Sequence, residues 1–413
     1  MSVPSRLVLV VNSGSSSMKF TLLPVGGGEA LVSGVAECLG LPEARIVVKE
    51  SGAKTVVDLE RGDHADAIVA LFARLDREGV RDRIAVVGHR IVQGGAVFEE
   101  SVVVTPQVIA AIEALAPLAP LHNPAHLVGL RACMDAMPDV PQVAVFDTAF
   151  HQTIPPAAYT YAIPQALARE HAVRRYGFHG TSHRYVSHEA ARYLGLPADD
   201  HGIVVAHLGN GASATAVVDG RSVDTSMGMT PLEGLVMGSR CGDIDAGAVA
   251  HIARVTGKDI LQIDAMLNKE SGLLGLSELS NDCRMLEAAA DEGHEGAKLA
   301  LDVFVHRLAR HIGALAVSLP RFDALVFTGG IGENSARIRA MTLKHLAVFG
   351  FEVDEAANAA VFGGRIGVVG RSAGPIAAVV PTDEEGLIAA DAARLAGLAN
   401  ANDDEPRRVA AVV

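Results

Sequence analysis

The stretch LVLVVNSGSSSMKF (7–20) decides how this chain is read. An apolar run ends in an Asn/Ser/Gly turn, and an alternating segment follows. That pattern predicts a buried strand, a tight turn and a second strand. IVVAHLGNGASATAV (203–217) repeats the plan with Leu-Gly-Asn-Gly at its turn. A strand–turn–strand near the start of each half suggests a duplicated domain with a phosphate-binding turn in each copy.

Further apolar runs also stop at turns rich in small residues. They are IAVVGHRIVQGG (84–95), VAVFDTAFH (143–151), ALVFTGGIGEN (324–334) and IAAVVPTDEEG (376–386). Helical patterns lie between, at 64–78, 106–115 and 288–319. Such alternation indicates α/β architecture, with ligands gathered at the carboxyl ends of strands. A chain of 413 residues exceeds one ordinary core, so two domains are expected. We place them at 1–148 plus 385–413, and at 149–384, with the first boundary just after Asp147. A helix over 385–398 returns to the first domain, and 399–413, without periodicity, frays.

Composition excludes several classes. Hydrophobic residues make up 49%, which indicates a globular chain rather than a disordered one. The net charge of −13, with no basic block, speaks against a nucleic-acid partner. No apolar run approaches the ~20 residues that cross a bilayer, so no membrane partner is expected. The run at 7–11 is too short for a signal-peptide core, and the cytoplasm is the expected location. Cys38, Cys133, Cys241 and Cys283 are scattered, with no paired spacing for zinc or redox chemistry.

The chemistry-bearing motifs come next. No GxxxxGK[ST] is present, so a Walker-type site is excluded. NSGSSSMK (12–19), HLGNG (207–211) and GGIGEN (329–334) instead offer turns with accessible backbone N–H groups, and together they favour a nucleotide site. MGMTPLEGLVMGSRCGDID (227–245) carries one arginine, Arg240, among small residues, where its planar fork reaches a phosphate or carboxylate. His179 and His183 have i,i+4 spacing, but Gly180-Thr181-Ser182 reads as a poor helix and no carboxylate stands in the HExxH position.

GHRIVQGG, VFDTAFHQT, RYGFHGTSH, HLGNG, MGSRCGD, FTGGIGEN and PTDEEG together resemble the acetokinase family, enzymes that pass phosphate between ATP and acetate. The resemblance runs from about Leu7 to about Leu398. It implies two duplicated domains of the sugar kinase, actin and heat-shock chaperone ATPase type, with a nucleotide cleft between them. It also implies ATP or ADP as co-substrate, Mg²⁺ or Mn²⁺ as cofactor, acetate or another short-chain carboxylate as acceptor, and a homodimer.

An acceptor carboxylate is already ionised at neutral pH, since such acids titrate near ~4–5. No general base is required; the obstacle is repulsion between that anion and the γ-phosphate. The site therefore needs cations and a metal. Arg90 and Arg240 supply the cations, one for the carboxylate and the other for the transferring phosphoryl group. His179 donates to a phosphoryl oxygen in the family, and His122 and His207 are further potential donors. Asp147 either orients Arg90 or binds magnesium through water. Glu384 is the expected magnesium carboxylate, with Asn12, although Asp383 stands where the family generally has Asn.

By the same resemblance the nucleotide contacts Lys19, His207, Leu208, Gly209, Asn210, Gly211, Asp282, Cys283, Arg284, Gly330, Ile331, Gly332, Glu333 and Asn334. SELSNDCR departs from the pattern, with Glu278 where glycine is usual and Cys283 where a larger apolar residue is common. The acyl pocket maps onto Val92, Leu121, Phe178 and Pro231, with the Phe178 ring as a wall against the methyl group. One methylene changes binding by only ~1–3 kcal/mol, so propionate is expected to be a poorer but real substrate, and a propionate kinase is the near alternative. A nucleotide switch without catalysis is the distant alternative; it has no need of Arg90, His179 and Arg240.

Overall fold

The computed structural model describes residues 6–14, 16–50, 53–120, 122–371 and 374–398. The chain divides into two compact units. Unit 1 comprises Met1–Ala149 with Asp383–Val413, and unit 2 comprises Phe150–Thr382. Among the described residues no helix is long and apolar enough to cross a membrane.

Unit 1 is built on strands β1 (Leu7–Ser13), β2 (Met18–Pro24), β3 (Val32–Glu37), β4 (Arg45–Glu50), β5 (Ala53–Asp58), β6 (Ile84–Ile91), β7 (Val102–Val103) and β8 (Gln142–Phe146). Their order is β5-β4-β3-β2-β1-β6-β8-β7. β1 pairs antiparallel with β2 and parallel with β6, which pairs parallel with β8. The run LVLVV is apolar throughout because β1 is covered on both faces. Leu7, Leu9 and Val11 join a core with Ile68 and Leu71 of helix His64–Arg77. Val8 and Val10 join another with Ile388 and Ala392 of helix Glu384–Leu395.

Unit 2 repeats this plan with β9 (Gly202–Leu208), β10 (Ala212–Val218), β11 (Arg221–Thr225), β12 (Ala324–Thr328), β13 (Gly367–Val368) and β14 (Ile376–Val379). The order is β11-β10-β9-β12-β14-β13. β9 pairs antiparallel with β10 and parallel with β12, which pairs parallel with β14. In each sheet a short antiparallel strand closes the far edge, β7 on β8 and β13 on β14. The two strand–turn–strand segments thus open two α/β sheets of the same construction.

Three local expectations are corrected. The helical stretch 288–319 is broken: Gly293 adopts φ +96°, and His294 caps a new helix, Glu295–Ala316, by accepting from the Ala297 amide. Gly180-Thr181-Ser182 is helical after all, as the first turn of helix Gly180–Leu194. GGIGEN is a short helix rather than a turn, Gly329–Asn334. Strands β3 to β5 were not read from the sequence; β5 is exposed along its whole length and lacks an apolar run. The returning helix starts at Glu384 because Asp383 caps it, accepting from the Gly386 amide at 2.8 Å. The segment 399–413 lies outside the described residues.

That helix seats on β6 through a single missing side chain. A Cβ at Gly88 would stand 2.8 Å from Ile388 Cγ2 and 3.3 Å from Ala392 Cβ. Gly88→Val should therefore overpack unit 1 and lower its stability by ~1–3 kcal/mol. Denaturant unfolding measures this; an unchanged midpoint would show that the contact relaxes freely.

Candidate active site

In unit 1 the carboxyl ends of β6 and β8 bring Arg90 and Asp147 together. The pair is bidentate: Arg90 Nε and Nη2 each donate to one Asp147 oxygen at 2.8 Å. Asp147 is buried. Glu384 Oε2 lies 3.9 Å from Arg90 Nη2. Burial alone would disfavour the Arg90 charge, but Asp147 and Glu384 outweigh it and raise its pKa above the usual arginine value. Arg90, Glu384 and Glu385 line a cavity of about 110 Å³ with Asn12 and Lys19. The three acids of PTDEEG have separated roles. Asp383 caps the helix, Glu385 accepts from the Thr21 hydroxyl at 2.8 Å, and Glu384 faces Arg90.

The loop after β6 is pinned by neutral groups. His126 is pushed down to about 3 by burial first and by the Arg90 charge second, so its neutral Nδ1 accepts from the Val92 amide at 3.2 Å. Asn123 and Gln93 exchange two bonds, of 3.2 and 3.0 Å. Val92 is consequently held in place and nearly buried. His122 precedes helix Asn123–Ala136, with its ring 6.4 Å from that of His126. Leu121 lies outside the described residues.

In unit 2 the turn between β9 and β10 is the meeting point. A Cβ on Gly211 would lie 3.2 Å from Arg240 Nη2 and 3.4 Å from His179 Nε2. Glycine there lets a guanidinium and an imidazole converge over bare backbone. Arg240 Nη1 donates to the Pro231 carbonyl at 2.8 Å, and among the described residues no carboxylate pairs with it. Burial pushes its pKa down. An anionic oxygen in this place would offset that desolvation of the guanidinium charge.

The loop carrying Arg240 is fixed by tight glycine packing. A Cβ on Gly238 would fall 1.9 Å from Asn210 Oδ1, and the Gly238 amide donates to the Asn210 carbonyl at 2.9 Å. Arg175 pairs with Glu233 at 2.6 Å and donates to the carbonyls of Thr225, Ser226 and Met227. Tyr161 donates to Glu233 and accepts from the Met229 amide. Asp243 links His311 Nε2, at 3.1 Å, to the Gly234 amide, at 2.8 Å. Sequence reading missed Tyr161, Arg175, Glu233 and His311, because nothing in their spacing marks them as a set.

His179 stands at the start of helix Gly180–Leu194 with φ +55°, in the left-handed region. Its ring lies 4.4 Å from that of His207, whose Nδ1 pairs with Ser182 Oγ at 2.7 Å. Phe178 is 2% exposed, which leaves little ring surface for a ligand wall; its carbonyl accepts from His151 Nε2 at 2.9 Å. Pro231 is half-buried, and its carbonyl holds Arg240.

Gly329, with φ +76°, packs against the Leu208 backbone, whereas a Cβ on Gly330 would meet nothing within 4 Å. Glu333 turns inward and accepts from the amides of Gly329 and Thr382, and Asn334 accepts from the Gly363 amide. Gly332 and Leu208 are buried, Ile331 is half-buried, and Gly209 and Asn210 sit at the open end of the turn. Arg339, fully buried, donates five bonds to neutral acceptors, among them the carbonyls of Gly332 and Glu333. Burial brings its pKa down to about 10. This residue also escaped the sequence reading. Asp282 caps helix Cys283–Asp291 and pairs with the exposed Arg284, while Cys283 is buried with its thiol pushed up to about 12 by burial.

A family model described as the acetokinase family matches residues 7–390. The chain belongs to that family. A propionate kinase of Yersinia enterocolitica is 54% identical, with 94% of this chain and 95% of the relative covered. An acetate kinase of Shewanella frigidimarina is 52% identical, over 94% of this chain and 98% of that one. The crystal structure of a propionate kinase from Francisella tularensis superposes with a TM-score of 0.90 at 44% identity, covering 94% of this chain and 100% of that one. As an acetokinase the chain is a phosphotransferase with a carboxyl group as acceptor.

One departure from the family pattern has a structural consequence. Glu278, where the resemblance leads one to expect glycine, takes φ +54° after helix Gly272–Ser277. A residue with a Cβ is strained there, and glycine is not. Glu278→Gly should raise stability by ~0.5–1 kcal/mol after allowing for the unfolded-state entropy of glycine. Thermal unfolding reads the change; a lowered midpoint would assign Glu278 a stabilising contact instead.

Proposed function

We propose that this phosphotransferase moves the terminal phosphoryl group of ATP to acetate, reversibly, giving acetyl phosphate and ADP by direct in-line displacement. The observation that carries the reading is the convergence of Arg240 Nη2 and His179 Nε2 on the bare backbone of Gly211. A half-buried guanidinium with no carboxylate partner among the described residues, near an imidazole nitrogen, is suited to the charge that develops on equatorial phosphoryl oxygens. Arg90 differs, because Asp147 already occupies two of its donors. Its remaining Nη1 edge suits a substrate carboxylate. One acetate oxygen forms the new bond to phosphorus, the bond to the bridging oxygen breaks, and ADP leaves with that electron pair. Propionate is the second reading, supported by the 54% identical relative that bears that name.

The cavity lined by Asn12 and Glu384 fits Mg²⁺, or Mn²⁺, which takes one or two carboxylates and keeps several waters. When bound, the metal would neutralise phosphate charge. Asn12 and Glu384 would hold it, and Lys19 in the same cavity would meet phosphate oxygens. Nucleotide contacts are assigned to 207–211, 282–284 and 330–334; open space at Gly330 and the outward Arg284 support this. We further infer a homodimer and a cytoplasmic location. Helix Ala246–Thr256 has no buried residue, and Val255, Ile260 and Leu261 are exposed, a surface suited to a second copy.

Trapping the product as an acyl hydroxamate, with acetate, propionate and butyrate in parallel, tests the reading. Acetate should give the highest kcat/KM and propionate less; no hydroxamate from any acid would refute it. In the same assay Arg240→Ala should lower kcat by ~10²–10³ with little change in ATP binding. Lysine should rescue only in part, since it lacks the fork. Glu384→Ala should raise the magnesium requirement, whereas Glu385→Ala, losing only its bond to Thr21, should change it little. The reverse ranking in a magnesium titration would move the ligand by one residue.

A further inference from the structure

Ser213, buried on β10, lies between two histidines. Its Oγ stands 2.9 Å from His179 Nδ1 and 2.7 Å from His183 Nε2. A hydroxyl has one hydrogen and two lone pairs; with no other acceptor for that hydrogen among the described residues, it donates to one ring and accepts from the other. In one arrangement His183 donates from Nε2 to Ser213, Ser213 donates to His179 Nδ1, and His179 keeps its proton on Nε2. In the other the direction reverses, and His183 carries its proton on Nδ1.

Burial decides between them. His183 Nδ1 is buried and has no hydrogen-bond partner among the described residues. The reversed arrangement would leave an N–H there with no acceptor, the rarer and costlier defect, whereas the first leaves only an unused lone pair. The ring itself is neutral, since burial first, and His151 and His207 next, push its pKa well down. His151 cannot take over the role. Its Nε2 donates to the Phe178 carbonyl and its Nδ1 meets the Ser222 hydroxyl, so both ring nitrogens are engaged away from Ser213. It stands edge-on to His183, with centroids 5.8 Å apart, and confines that ring.

We propose that His183 is a positioning residue which, through Ser213, fixes His179 as the tautomer with its proton on Nε2, the nitrogen beside Arg240 at Gly211. This rests on the reading that His179 donates to the phosphoryl group. The relay makes that nitrogen a donor in advance; the opposite tautomer would turn a lone pair toward anionic oxygens.

Long-range ¹H–¹⁵N spectra of the full-length enzyme labelled at histidine nitrogen test this at neutral pH. In the unmodified enzyme His179 should show a protonated Nε2 and a bare Nδ1. Ser213→Ala should give a mixture of tautomers and lower kcat by ~10–100-fold, the usual loss when the partner orienting a histidine is removed, with both KM values little changed. His183→Gln, whose amide can still donate to Ser213, should retain more activity than His183→Phe. A proton on His179 Nδ1 in the unmodified enzyme would overturn the proposal even if every variant failed to fold, as would an unaltered tautomer in Ser213→Ala. His179→Ala separates the two readings. Near-normal turnover there sinks the phosphoryl-donor role, while the spectrum still reports the relay.

Discussion

A half-buried guanidinium with no carboxylate beside it among the described residues has to be held by neutral groups, and much of unit 2 is arranged around that constraint at Arg240. The Pro231 carbonyl takes one nitrogen, and Gly211 gives the other open backbone. Each support has its own support. Gly238 presses on Asn210, and Arg175, Tyr161 and Glu233 close the loop that carries Pro231. Neutral holders fix the position without neutralising the charge. The charge stays free for an anion, and the loop's rigidity means little reorganisation when one arrives.

Arg90 shows the opposite solution in unit 1. Its bidentate bond to Asp147 spends two donors and cancels a charge, but fixes the plane of the fork. The neighbouring elements repeat the theme with uncharged partners, as where the neutral His126 holds the Val92 amide. One arginine is thus set by charge and the other by shape. That difference supports the distinct tasks proposed for them.

The paired sheets explain why these groups lie where they do. In each, the first strand is antiparallel to its hairpin partner and parallel to the next strand of the sheet, so the loops leaving the parallel strands emerge at one end. Asn12, Arg90 and Asp147 stand at the ends of β1, β6 and β8, and Gly209, Gly329 and Thr382 follow β9, β12 and β14. Glycine at 88 and 329 then admits a helix or a neighbouring strand where a side chain would hold it off.

The sequence alone determined the strand–turn–strand repeat, the α/β alternation and the cationic residues, because periodicity and turn chemistry are local. It also carried the motifs from which the family was recognised. It did not determine the exposed β5, the break at Gly293 or the helical form of GGIGEN, where tertiary packing overrode local preference. Nor did it reveal Arg175, Ser213 or Arg339, or the link from His183 to His179, since each depends on a partner distant in the chain: Ser213 is 34 residues from His179. It named Glu384 through the resemblance but gave no physical distinction among Asp383, Glu384 and Glu385. Only the fold separated them, by giving the first to a helix terminus and the third to Thr21 and turning the second toward Arg90. Residue type sets what a side chain can do, but its partners set what it does, and partners are chosen by packing.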